Sequence, residues 1–156
     1  MKSNKFWIYV IIIVVILLAL FSYPRISGRK SDFNKQLEAA GLDCLVMGRG
    51  QIGQHIHPVL KVLIDGQPKP IPANIGVTSA CMAEIHTHDS SGTIHLESTD
   101  VGETFTLGQF LTFWDDPEIL SLVDAELTVD GQPYTDNPTK LILKDKQQVE
   151  LRYRTK

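Results

Sequence analysis

The sequence lacks any excess of positive charge, any glycine-rich phosphate loop and any recognisable nucleophile constellation. It carries 15 Lys and Arg against 18 Asp and Glu. Removing the first 23 residues takes away only Lys2 and Lys5 and leaves 13 basic against 18 acidic side chains, a net charge of −5. Such a balance gives no electrostatic reason to hold nucleic acid. No stretch is disordered by composition, and 156 residues leave room for one domain with a real core and no more. Cysteine is scarce, with only Cys44 and Cys81.

What is present begins at the N-terminus. From Phe6 to Phe21 the run FWIYVIIIVVILLALF has no polar side chain except the phenol of Tyr9. Ser22 and Tyr23 extend it and Pro24 ends it. A spanning helix needs about 20 apolar residues, and Trp7 and Tyr23 stand near the ends, where amphipathic rings favour the interface. Lys2 and Lys5 would also suit a cleaved signal peptide. However, the apolar run is long and no A-x-A-like site follows it. The expectation is an uncleaved transmembrane signal anchor over 6–23, after a short tail over 1–5. Arg25, Arg29, Lys30 and Lys35 follow the run, and counted literally they favour a cytoplasmic domain. Short N-terminal tails usually stay inside while the downstream domain translocates, so a single-pass protein with an extracytoplasmic domain is expected. The membrane is then its one expected partner.

Residues 24–43 read as a linker and a short helix. Ser31 can cap a helix from Asp32 to Ala40, with Phe33, Leu37 and Ala40 on one face and Gly41 as its stop. The remaining residues, 44–156, read as one α+β domain. His55 to Asp65 alternates as a strand. Asp65-Gly66 is a hairpin signal, and QPKPIPAN is confined to an edge or a connection. A strand from Cys81 to His88 turns at DSSG and returns through Thr93 to Ser98. Thr106 can cap a helix from Leu107 to Trp114. Glu126–Val129 leads into a second DGQP turn, and Lys140–Leu143 with Gln148–Tyr153 reads as a last hairpin. This order implies an α+β fold: a mostly antiparallel sheet with one packed short helix, β-grasp-like by analogy, preceded by the transmembrane helix.

The chemistry concentrates in one region. All five histidines fall between positions 55 and 95, in HIHP at 55–58, in HTHD at 86–89 and at His95. Strand residues two apart share a face, so His55 pairs with His57 and His86 with His88. If DSSG is a four-residue turn, His86 opposes His95 and Glu84 opposes Glu97. One face then carries Glu84, His86, His88, His95 and Glu97, and the other carries Ile85, Thr87, Ile94 and Leu96. A one-residue slip would destroy that division. Imidazoles and a carboxylate on one face suit zinc or copper. The expected ligands are His86, His88, His95 and Glu97, joined by His55 and His57.

A blander reading stands beside this one, in which the histidines form a hydrogen-bonded polar patch. A single HxH is a weak signal, but two of them with a fifth histidine and none elsewhere favour the metal. The spacings of metallo-β-lactamases, JAMM isopeptidases and cupins are not met. The third element each motif requires is missing, which favours a binding module over an enzyme. The alternatives are a metal-dependent enzyme with Glu84 or Glu97 as general base, or an interaction domain with a structural histidine network. Cys44 and Cys81 could form a disulfide outside the cytoplasm. Cys81 could instead lie in the core or act as a soft ligand, although its strand parity is opposite to that of His86 and His88.

PANIG at 72–76, IHTHDSSGTIHLES at 85–98 and FTLGQFLTFW at 105–114 together resemble a family of uncharacterised prokaryotic domains. Its members are secreted or membrane-anchored, and they combine HxH with HTHDxSGxIHxES and FTLGQF. The resemblance covers roughly residues 55–115. It implies a discrete domain and brings no known activity with it.

Overall fold

The computed structural model describes residues 9, 12–14, 32–46, 51–121 and 125–154. The chain divides into two compact units, Met1–Gln36 and Leu37–Lys156.

In the first unit, Tyr9 and residues 12–14 are helical, as are residues 32–36. Most of the 6–23 run lies outside the described residues. Among the described residues, no helix is long and apolar enough to cross a membrane. The expectation of a domain preceded by a transmembrane helix is corrected accordingly.

The second unit opens on the end of helix α1 (32–40), where Leu37 and Ala40 are buried. Gly41 donates to the Glu38 carbonyl and Leu42 to the Leu37 carbonyl, which closes the last turn. The strands follow as β1 (Cys44–Leu45), β2 (Gln54–Ile56), β3 (Val59–Ile64), β4 (Gln67–Lys69), β5 (Met82–Ala83), β6 (Ile85–His86) and β7 (His95–Ser98). Two helices come next, α2 (Leu107–Trp114) and α3 (Pro117–Ser121). Strands β8 (Ala125–Val129) and β9 (Gln132–Tyr134), a 3-10 turn (Pro138–Lys140) and β10 (Gln148–Tyr153) complete the unit.

The fold is mixed α/β, mostly strands with few helices, and it divides into three sheets. This corrects the expected single, mostly antiparallel sheet in two ways. First, the long strand expected over 55–65 breaks at His57-Pro58, so β2 and β3 belong to different sheets. Proline offers no N–H to a ladder, and Pro58 lies at the break. Second, the expected last hairpin is absent: Ile142 makes only a bridge to Thr106, while β10 enters the large sheet between β3 and β8. That sheet runs β4-β3-β10-β8-β9, and its central pair, β3 and β10, is parallel. No turn joins two parallel strands, so local sequence gives no sign of this pairing.

The two DGQP segments behave alike. Asp65-Gly66 and Asp130-Gly131 all have positive φ, as a type I′ turn requires, and they close the hairpins β3–β4 and β8–β9. Helix α2 begins with a capping box. The Thr106 hydroxyl accepts from the Gln109 N–H, and the Gln109 side chain accepts from the Thr106 N–H. The same amide donates to the Ala40 carbonyl at 3.1 Å, tying α2 to α1. Phe105, Leu107 and Phe110 of the FTLGQF segment are buried in the core.

Candidate metal centre

The histidines stand on the third sheet, ordered β2-β7-β6. Its central strand, β7, carries His95 and Glu97. On one side His86 is registered with His95, as the four-residue turn implied, and Ile85 with Leu96. On the other side His55 is registered with Glu97 and Ile56 with Leu96. The bridge from Val59 to Thr93 keeps that register and sets His57 beside His95. Ile85, Ile94 and Leu96 are fully buried on the opposite face, so a register slip would exchange them with the histidines.

The HTH segment is fixed from behind. The Thr87 hydroxyl donates to the Pro72 carbonyl at 2.8 Å and accepts from the Ile75 N–H at 3.1 Å. Its backbone bonds both Asn74 and Ile75. The PANIG segment is thus a clamp on the residue between two histidines. Gly76 has φ +74° there, and a Cβ would lie 2.6 Å from the Ile85 carbonyl oxygen, so only glycine fits. Gly92 serves the other junction in the same way: its φ is +87°, and a Cβ would lie 2.3 Å from the Leu60 carbonyl oxygen.

The rings gather around His95. Its centroid lies 5.6, 4.7, 5.3 and 4.5 Å from those of His55, His57, His86 and His88. Two triads, His55/His57/His95 and His86/His88/His95, each present three ligand atoms within 4.8 Å of one another. The histidine groups are therefore close enough to hold a metal. His86 is fully buried, and its Nδ1 lies 2.9 Å from the Ala83 carbonyl oxygen. A carbonyl only accepts, so Nδ1 carries the proton and Nε2 is bare. That bare nitrogen lies 3.2 Å from His88 Nε2. This is the outer-shell arrangement that orients a ligating imidazole.

Glu97 lies between the two groups. Its Oε1 is 3.0 Å from His55 Nε2 and 4.0 Å from His86 Nε2. Its Oε2 is buried without a hydrogen-bond partner among the described residues. Burial pushes the His86 imidazole down to about 4, with the neighbouring histidines adding to the effect. His95 is likewise pushed down to about 4, first by burial and then by His88, His57 and His55. Both rings are neutral at pH 7, the form that binds a metal.

Glu84 departs from the expected group. It accepts from the Asp43 N–H at 2.8 Å, and burial raises its carboxyl above the ordinary range. Cys44 and Cys81 form a disulfide with Cα atoms 5.6 Å apart, joining β1 to the residue just before β5. That pair includes Ala83, whose carbonyl holds His86. Sequence reasoning missed Asp145, which accepts from the His57 N–H at 3.0 Å. It is 88 residues away, and no local pattern announces the contact. Comparison with protein-family models, curated proteins and solved structures returns no match.

Proposed function

We propose that this protein is a binding module for a late first-row transition metal, copper or zinc, held by the histidine cluster. The observation that carries the reading is the pair of histidine triads meeting at His95. Neutral imidazole with carboxylate is a donor set for zinc or copper rather than for calcium or magnesium, which prefer oxygen. The buried proton on His86 Nδ1 and the clamp on Thr87 preorganise the ligands. Glu84 is engaged by backbone and Glu97 sits among the histidines, which favours holding a metal over general-base chemistry. The disulfide supports a compartment in which disulfides persist, outside the cytoplasm.

The test is metal analysis of the purified full chain, followed by competition titration with Zn(II) and Cu(II). Tight binding that disappears when His86, His88 and His95 are all replaced by Ala supports the reading. A triple variant that folds and binds both metals as well as the parent would overturn it and leave a structural histidine network.

A further inference from the structure

The five histidines exceed what a single ion needs. A tetrahedral zinc site takes four ligands, and here five imidazoles and a carboxylate converge. They divide by strand: His55 and His57 enter along β2 and its extension, while His86 and His88 lie on and just beyond β6. The ring centroids are 4.3 Å apart within the first pair and 4.8 Å apart within the second. His95, on the strand between, is the one member common to both triads. Glu97 shares that position, within 3.0 Å of a nitrogen from one pair and 4.0 Å of a nitrogen from the other.

We infer that the cluster is a two-ion centre: His55 and His57 hold one transition-metal ion, His86 and His88 hold a second, and His95 and Glu97 lie between them. The inference rests on the metal-binding reading above and adds stoichiometry and placement. A neutral imidazole has one bare nitrogen, so His95 completes one ion and the Glu97 carboxylate links the two. One ion then has three imidazoles and a carboxylate oxygen, and the other has two imidazoles and a carboxylate oxygen. The Oε2 of Glu97, without a hydrogen-bond partner among the described residues, supplies the second oxygen that a bridge requires. Two-ion sites place their metals about 3.5–4 Å apart, a span that one carboxylate covers. Two acidic side chains at the rim offset the added charge. Asp145 lies 3.9 Å from His57 Nδ1, and Asp89 follows His88 directly.

The two pairs also differ in access. The His55 and His57 side chains are 44% and 40% exposed, whereas the second pair joins the fully buried His86 to the exposed His88.

The experiment is native mass spectrometry of the full chain titrated with Zn(II), with electron paramagnetic resonance of the Cu(II)-loaded protein. The parent should saturate at two ions. His57→Ala and His88→Ala, both at solvent-accessible positions, should each retain one, and the double variant should retain neither. Two Cu(II) ions sharing Glu97 should show spin coupling, with a signal well below that of two isolated ions. A parent that saturates at one ion overturns the two-ion centre and leaves the metal reading intact. Two ions with full, uncoupled intensity overturn the shared placement. No bound ion in a folded parent overturns both.

Discussion

His86 and His95 face each other across neighbouring strands, with their rings stacked 5.3 Å apart at an interplanar angle of 20°. One of these rings is fully buried and the other belongs to both histidine triads. The pair therefore joins the hydrophobic core to the face that carries the histidine cluster.

His95→Ala should damage metal binding more than any other single histidine replacement. Replacing an outer-shell partner costs roughly 10–100-fold in affinity, and His95 is a direct ligand candidate in both triads. A loss of more than about 100-fold is expected, read by Zn(II) competition. A loss no larger than that of His55→Ala would contradict its central position.

Stability of the metal-free protein should fall as the medium is acidified. His86 and His95 are held at about 4 in the folded chain, against an ordinary value of 6.5. Between those values the unfolded chain binds more protons than the folded one, so unfolding gains as pH falls. The stabilisation is fully present above about pH 6.5 and is lost progressively down to about pH 4. Glu84 acts in the opposite sense, because burial raises its carboxyl. Denaturant melts from pH 7 to pH 4.5 should show the fall, and His95→Gln should flatten it. A slope unchanged in that variant would remove His95 from the account.

Thr87→Val keeps the shape of the side chain and removes the hydroxyl that clamps PANIG. It leaves the Ile75 N–H and the Pro72 carbonyl without that bond. A buried polar group left unpaired costs about 1–3 kcal/mol. Thermal unfolding should register that loss, and metal affinity should fall with it because both flanking histidines lose their anchor. A variant as stable as the parent would show that the clamp contributes nothing.

Replacing Cys44 and Cys81 together by Ala should cost about 2–5 kcal/mol, the usual result of removing a native disulfide from a small domain. The bridge closes a separation of 37 residues that contains β2, β3 and β4. Metal affinity should also drop, because the bridge anchors the strand pair whose Ala83 carbonyl fixes the His86 ring. Equal affinity with and without the bridge would separate the two features.

The parts of this molecule legible in its sequence are those set by short range. Strand parity and a four-residue turn are enough to put His86 opposite His95. Asp-Gly pairs announce two hairpins, and Thr106 announces the start of α2. What escaped depends on partners far apart in the chain. His55 meets Glu97 only because β2 lies beside β7, and His57 meets Asp145 from the far end of the domain. The break at Pro58 hid the change of sheet, since residues on both sides of it continue one alternating pattern. Nothing near β10 signals that it will fill the centre of the large sheet in parallel with β3.

That central position of β10 bears on how the protein is made. All five histidines leave the ribosome well before residues 148–153, yet those residues complete the sheet and lie just after Asp145 and Lys146, which bond the backbone of His57. A growing chain can form the β6–β7 pair early, from neighbouring segments alone. The bonds from Asp145 and Lys146 to the His57 backbone can form only once the chain has been made that far. The His86–His95 pairing can thus be complete while His57 still lacks the backbone bonds supplied from the C-terminal end.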